Sequence, residues 1–180
     1  NNKKELGLPK DSFVLTAFHN PSKITPKEFD CWAQILTRVE NSVLWLSKSN
    51  MEVEKNLRNQ LLKRGISDEK VIFAEKISSN SEHLGRHICG DIFLDTFKYN
   101  AHSTAMDSLW SGLPVLTLMG NYFSSRVGSS LLKSLELEEL IANNEREYIE
   151  IAVDLANNKN KLNIIKNKLK EKCKTSNLFN

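Results

Sequence analysis

The chain has 180 residues, a hydrophobic fraction of 40%, a charged fraction of 26% and a formal net charge of +3. These are the proportions of one globular domain that buries its own core, and they exclude a disordered polyelectrolyte. Lys and Arg crowd the stretch from Lys159 to Lys174, but apolar residues interleave there at helical spacing, so the charges read as a solvated helix face and nucleic acid is not an expected partner. No run approaches the ~20 apolar residues of a membrane span.

Three cysteines, Cys31, Cys89 and Cys173, lie far apart with no metal-ligand spacing. An odd, sparse set implies reduced thiols and a cytoplasmic setting. The polar start, Asn1 to Glu5, carries no signal peptide. Residues 1–180 read as a single lobe, a fragment of a larger protein.

In chain order, Phe13 to Phe18 is a short apolar run that predicts a buried strand. A turn at Asn20-Pro21-Ser22 precedes Thr25-Pro26-Lys27-Glu28, a helix start with a capping box and proline at the first position, and that helix runs to about Val39. Ser42 to Leu46 is a second strand, Glu52 to Arg64 a helix ending at Gly65, and Val71 to Phe73 a third strand. Ser79 to Glu82 opens a helix carrying His83 and Arg86. Asp91 to Asp95 is strand four, a helix runs from near His102 to Gly112, and Pro114 to Thr117 is strand five. Helices follow at about Tyr122–Leu135, Glu145–Asn157 and Lys159–Lys172. Strands without period-2 polarity, alternating with helices, predict an α/β fold: a doubly wound parallel sheet, Rossmann-like, covered on both faces.

Ligands of such sheets bind beyond the carboxyl ends of the strands. The most informative segment there runs from Asp95 to Asp107. Small and hydroxyl residues at a helix start leave backbone N–H groups and the positive helix end free for an anion. Ser103 and Thr104 add hydroxyls, His102 an imidazole, and Asp107 a carboxylate for ribose hydroxyls. The competing reading of Ser103 and Thr104 is plain capping, and of Asp107 a first-turn acid complementing the dipole. No GxGxxG follows the first strand and no GxxxxGK[ST] exists, which counts against NAD-type and P-loop chemistry. Trp32, Trp45 and Trp110 sit on apolar patterns and are expected in the core.

Several segments resemble O-linked N-acetylglucosamine transferases and their SPINDLY-like relatives: Asn41–Leu46, Glu82–Arg86, Leu94–Thr96, Asn100–Thr104, Met106–Pro114, Ser125–Val127 and Asn177–Asn180. The resemblance implies the C-terminal lobe of a GT-B glycosyltransferase, which binds the UDP part of a UDP-sugar, UDP-N-acetylglucosamine above all, for transfer to Ser or Thr of proteins. By position it implies that Lys23 contacts the donor phosphates and stabilises the leaving group. Asn20 stands where the family usually has glutamine near phosphate and sugar. His83 and Arg86 match the pair lying against the uracil; His102, Ser103 and Thr104 match a run that holds the diphosphate; Asp107 matches the ribose carboxylate.

No DxD-like acidic pair lies near the helix start, so no metal and no cofactor beyond the donor is expected. The resemblance also implies a preceding second lobe and tetratricopeptide helices that recruit the protein acceptor, so the isolated lobe is expected to bind UDP weakly and transfer nothing. Two other readings stay open: the lobe of a UDP-sugar epimerase, and a non-catalytic nucleotide-binding interaction domain.

Overall fold

A computed structural model describes residues 2–179. Asn1, which opens the expected lobe, and Asn180, which closes the matched terminal segment, lie outside the described residues. Six strands form one parallel sheet in the order β3-β2-β1-β4-β5-β6. They are β1 (Phe13–Ala17), β2 (Ser42–Ser47), β3 (Val71–Ala74), β4 (Ile92–Leu94), β5 (Val115–Leu118) and β6 (Ile141–Ala142). The chain grows outward from β1 to β3, then returns to the other side of β1, so the switch point lies between β1 and β4. There the register sets Leu15 opposite Ile92 and Thr16 opposite Phe93.

The predicted doubly wound sheet is correct in kind and short by one strand. Only two residues make β6, and Thr117 opposite Ile141 and Leu118 opposite Ala142 hold it. An apolar run that brief has no period to read, and its pairing with β5 supplies the extended conformation.

The helices are α1 (Pro26–Arg38), α2 (Met51–Leu62), α3 (Asn80–Arg86), α4 (Ser103–Trp110), α5 (Val127–Ser134), α6 (Glu145–Asn157) and α7 (Lys159–Thr175). The helix expected over Tyr122–Leu135 is instead a 3-10 turn at Phe123–Ser125, a break at Arg126 and then α5. Gly65 (φ 82°) and Gly112 (φ 85°) end their helical segments in the left-handed conformation that favours glycine. Gln34, Asp30 and Lys159, Lys161, Lys170 and Lys174 of α7 face outward, while Leu162, Ile165 and Leu169 turn α7 onto the domain.

The core is continuous across both faces of the sheet. Trp32 and Trp45 are fully buried as expected, but Trp110 is 55% exposed and rests against Phe179. It ends α4, where the apolar pattern of the helix has already run out of the interior. One polar chain crosses the core: Trp32 Nε1 of α1 donates to Tyr148 Oη of α6 at 3.1 Å, and that hydroxyl donates to the backbone oxygen of Asp95 at 3.1 Å.

Close packing reaches its limit at Gly128 in α5. A Cβ there would stand 2.5 Å from Asp95 Oδ2 and 2.6 Å from Thr117 Oγ1. Gly128→Ala should therefore lower unfolding stability by about 1–3 kcal/mol, as overpacking does in well-filled interiors. Urea denaturation measures this, and an unchanged midpoint would show that the contact yields freely.

Candidate functional site

Strand β1 ends at Ala17, and Phe18 and His19 continue into the interior. The Asn20 side-chain oxygen then accepts from the Ser22 amide and hydroxyl, both at 3.0 Å, and caps the 3-10 turn Pro21–Lys23. Asn20 thus shapes the turn that carries Lys23. Among the described residues Lys23 has no ion-pair partner, and its charge bears on both His19 and Asp95. The turn therefore stands at the carboxyl edge of β1, next to that of β4.

Strand β4 runs into Asp95, which is fully buried. Its Oδ1 accepts from the amides of Thr96 at 2.9 Å and Ala101 at 2.8 Å, and its Oδ2 accepts from Thr117 Oγ1 at 2.7 Å. Glu28, also fully buried in the first turn of α1, accepts from the Thr25 amide at 2.8 Å and, across the edge of the sheet, from the Phe97 amide at 2.7 Å. Asn100 donates to the Thr96 carbonyl at 2.7 Å and accepts from Gly128 N at 3.0 Å. The loop from Asp95 to Ala101 is therefore pinned at its ends and middle, and it delivers His102 to the start of α4.

His102 is the N-cap of α4 but forms no capping bond with its side chain. Ser103 and Thr104 occupy the first helical positions rather than the cap, which answers the capping alternative. His102 and Ser103 are exposed and Thr104 is partly so. First-turn amides without a cap, at the positive end of the helix dipole, suit an anion.

The structure brings His83, Arg86 and Asp107 together. Arg86 donates through Nη2 to His83 Nδ1 at 2.9 Å, which places the His83 proton on Nε2, and that atom faces Asp107 Oδ2 at 4.0 Å. Burial and the neighbouring Arg86 charge hold the His83 imidazole below its usual range, against the pull of Asp107. Arg86 itself is 6% exposed, donates to the Glu75 carbonyl at 2.7 Å, and lies 4.6 Å from the Phe18 ring centroid. Its guanidinium is thus a support beneath His83, and His83 is the member of the pair that presents a face outward.

Sequence reasoning gave no individual role to His19 or Asn100, read Glu28 only as part of a capping box, and read Asp95 only as the strand end that opens the informative segment. An acid directly after Ile92-Phe93-Leu94 was the available signal: a carboxylate at the carboxyl end of a buried strand must find donors. An open groove of about 1200 Å³ lies beside this region, lined by Pro26, Phe97, Met119, Tyr122 and Arg146 among others, and it contains none of the sequence-predicted site residues. Among the described residues no cluster of three potential metal ligands occurs, and no helix is long and apolar enough to cross a membrane.

A parallel sheet in this order, with its switch point between β1 and β4, defines a Rossmann-like α/β lobe. Over residues 1–180 the sequence matches the model of glycosyl transferase family 41, and the chain belongs to that family. It is 35% identical over 178 residues to a probable UDP-N-acetylglucosamine–peptide N-acetylglucosaminyltransferase SEC of Arabidopsis thaliana, covering 98% of this chain and 18% of that protein. It is 36% identical over 148 residues to the UDP-N-acetylglucosamine–peptide N-acetylglucosaminyltransferase of Caenorhabditis elegans, covering 82% of this chain and 13% of that one. The chain thus spans less than a fifth of either relative's length. Among solved structures, a Thermobaculum terrenum O-GlcNAc transferase superposes with a TM-score of 0.87 at 28% identity, over 93% of this chain and 34% of that chain. A putative UDP-N-acetylglucosamine 2-epimerase of Listeria monocytogenes, at 16% identity, TM-score 0.57 and coverage of 91% and 41%, shares the fold alone.

Two buried groups at this edge oppose each other as pH changes. Burial lowers His19 from 6.5 to about 4, with its Nε2–H donated to the Leu94 carbonyl at 2.6 Å. Burial raises Asp95 from 3.8 to about 7 despite its three donors and Lys23. Between pH 4 and 6.5 the unfolded chain binds a proton at His19 that the fold refuses, so this contribution makes stability rise with pH. Between pH 4 and 7 the fold retains a proton at Asp95 that the unfolded chain has lost, so stability falls with pH. Asp95→Asn should unmask the rise and His19→Gln the fall. Urea midpoints at pH 4.5, 5.5 and 6.5 read both slopes, and parallel profiles for the two variants would refute the opposition.

Proposed function

We propose that this chain is the donor-binding lobe of a cytoplasmic transferase that moves N-acetylglucosamine from its UDP ester to Ser or Thr hydroxyls of proteins. The observation that carries the reading is the pairing at the switch point: an uncapped start of α4 and a free Lys23 on neighbouring strand ends, in a chain of this family. Ser103, Thr104 and the first amides of α4 hold the diphosphate with His102, Lys23 neutralises it, Asp107 accepts from the ribose hydroxyls, and His83 lies against the uracil with Arg86 beneath it. Asn20 sets the Lys23 turn at the sugar end.

As the acceptor hydroxyl oxygen bonds to the anomeric carbon and its proton passes to solvent, the bond from that carbon to the β-phosphate oxygen breaks and its electron pair leaves with UDP. Fixed donors aimed at that oxygen act where charge appears, and they lower the barrier. Lys23 and the helix start supply this charge from the chain itself, so transfer proceeds without a metal or further cofactor. The acceptor and its recruiting surfaces lie in other parts of the full-length protein.

Lys23→Ala and Asp107→Ala should each weaken UDP binding about tenfold or more, since a hydrogen bond to a charged group contributes roughly 1.5–3 kcal/mol. Isothermal calorimetry on the full-length protein, repeated in excess EDTA, checks this. Unchanged affinity in both variants rejects the site, and complete loss in EDTA restored by Mn²⁺ rejects metal independence.

A further inference from the structure

Asp95 touches no substrate in the site proposed above, yet it lies directly under the segment that builds it. Its carboxylate takes the two amides that open and close the loop, Thr96 and Ala101, one residue before His102. Thr117 of β5 holds the other oxygen, and Gly128 of α5 closes over it without room for a methyl group. The backbone oxygen of the same residue is tied to Tyr148. A side chain held from three elements cannot shift without moving the start of α4.

We propose that Asp95 is the positioning residue of the phosphate site: it sets the start of α4 at the edge where Lys23 stands, and it takes up a proton when a diphosphate binds there. This rests on the donor-site reading. The groups facing the carboxylate make the coupling one-sided. Lys23, from the turn after β1, is the cation that supports its charge, whereas Tyr148 of α6 is kept neutral by burial. His19, from the end of β1, is neutral for the same reason. Glu28 of α1 shares the loop through Phe97 and adds another acid, and β5 and α5 contribute only Thr117 and Gly128 at the contact. A diphosphate on Lys23 offsets that one cation and brings its own negative charge, so the ionised carboxylate loses support and its proton affinity rises. Burial already places this group at about 7, where such a change is felt near neutral pH.

The test is calorimetry of UDP-N-acetylglucosamine binding to the full-length protein at pH 7.5, in buffers of different ionisation enthalpy. The intact sugar nucleotide is the probe because its phosphates do not titrate near neutrality, unlike the terminal phosphate of UDP. His83 and His102 stand at the same edge, so the readout is the difference between wild type and variant. Wild type should take up a fraction of a proton. Asp95→Ala, which strands two buried amides, should bind about tenfold more weakly or worse. Asp95→Asn, which keeps an acceptor for those amides, should restore affinity to within about threefold while losing that part of the proton uptake. If Asp95→Ala fails to fold, as circular dichroism would reveal, Asp95→Asn decides alone. Wild-type affinity in Asp95→Ala, or undiminished proton uptake in Asp95→Asn, overturns the proposal. Unchanged affinity in Lys23→Ala instead overturns the donor-site reading and the proposal with it.

Discussion

A loop that turns inside a protein must find acceptors for its own amides, and the segment from Asp95 to Ala101 meets this demand with side chains. Asp95, Thr96, Phe97, Asn100 and Ala101 are all buried. An unpaired amide at that depth costs about 1–3 kcal/mol, so several left open would exceed what a marginally stable domain tolerates. Two carboxylates from different parts of the chain solve the problem. Asp95 takes the amides of Thr96 and Ala101, and Glu28 reaches from α1 to take that of Phe97. The placement of the α4 start follows from these bonds more than from the packing of α4 itself.

The arrangement leaves charge in the interior, and the surroundings adjust to it. Asp95 keeps part of its proton at neutral pH, and His19 refuses one well below it. Arg86 spreads its guanidinium over Phe18, with Nη1 on the Glu75 carbonyl and Nη2 on His83. Surface pairs such as Lys48–Glu75 and Lys174–Glu171 stand open to water and add little. His19 and Asp95, both buried, lie at the carboxyl edge of β1 and β4.

Much of this was legible in the sequence. Apolar runs gave five of the strands, Pro26 with Glu28 gave the start of α1, and Gly65 and Gly112 gave the helix ends. The doubly wound, parallel character followed from right-handed crossovers, and the loops at the strand ends followed from that; the order of the strands did not. What escaped was nonlocal. The two residues of β6 are a strand because β5 is beside them. Glu28 was read as half of a capping box, but its second oxygen serves a loop 69 positions away. Arg86 was read by resemblance as a base contact, and only coordinates reveal how deeply it lies. Trp110 was assigned to the core by pattern, and it stands open because α4 ends there.

Helix starts make the final contrast. Asn50, Ser79, Asn144 and Asn158 each cap their own helix by accepting an amide from its first turn. The start of α5 has no cap of its own, but Asn100 accepts from Gly128 N and supplies one from outside. Only α4, among these, opens with neither, since His102 makes no capping bond. Omitting a cap costs roughly 1 kcal/mol, and a chain that caps its other helices so regularly has the residues to avoid that cost. At the surface water satisfies those amides, and an anion with more than one oxygen satisfies them better because the helix end is positive. The omission falls at a helix start whose incoming loop two buried carboxylates hold in place, so the fold concentrates its rigidity beneath the amides it leaves open.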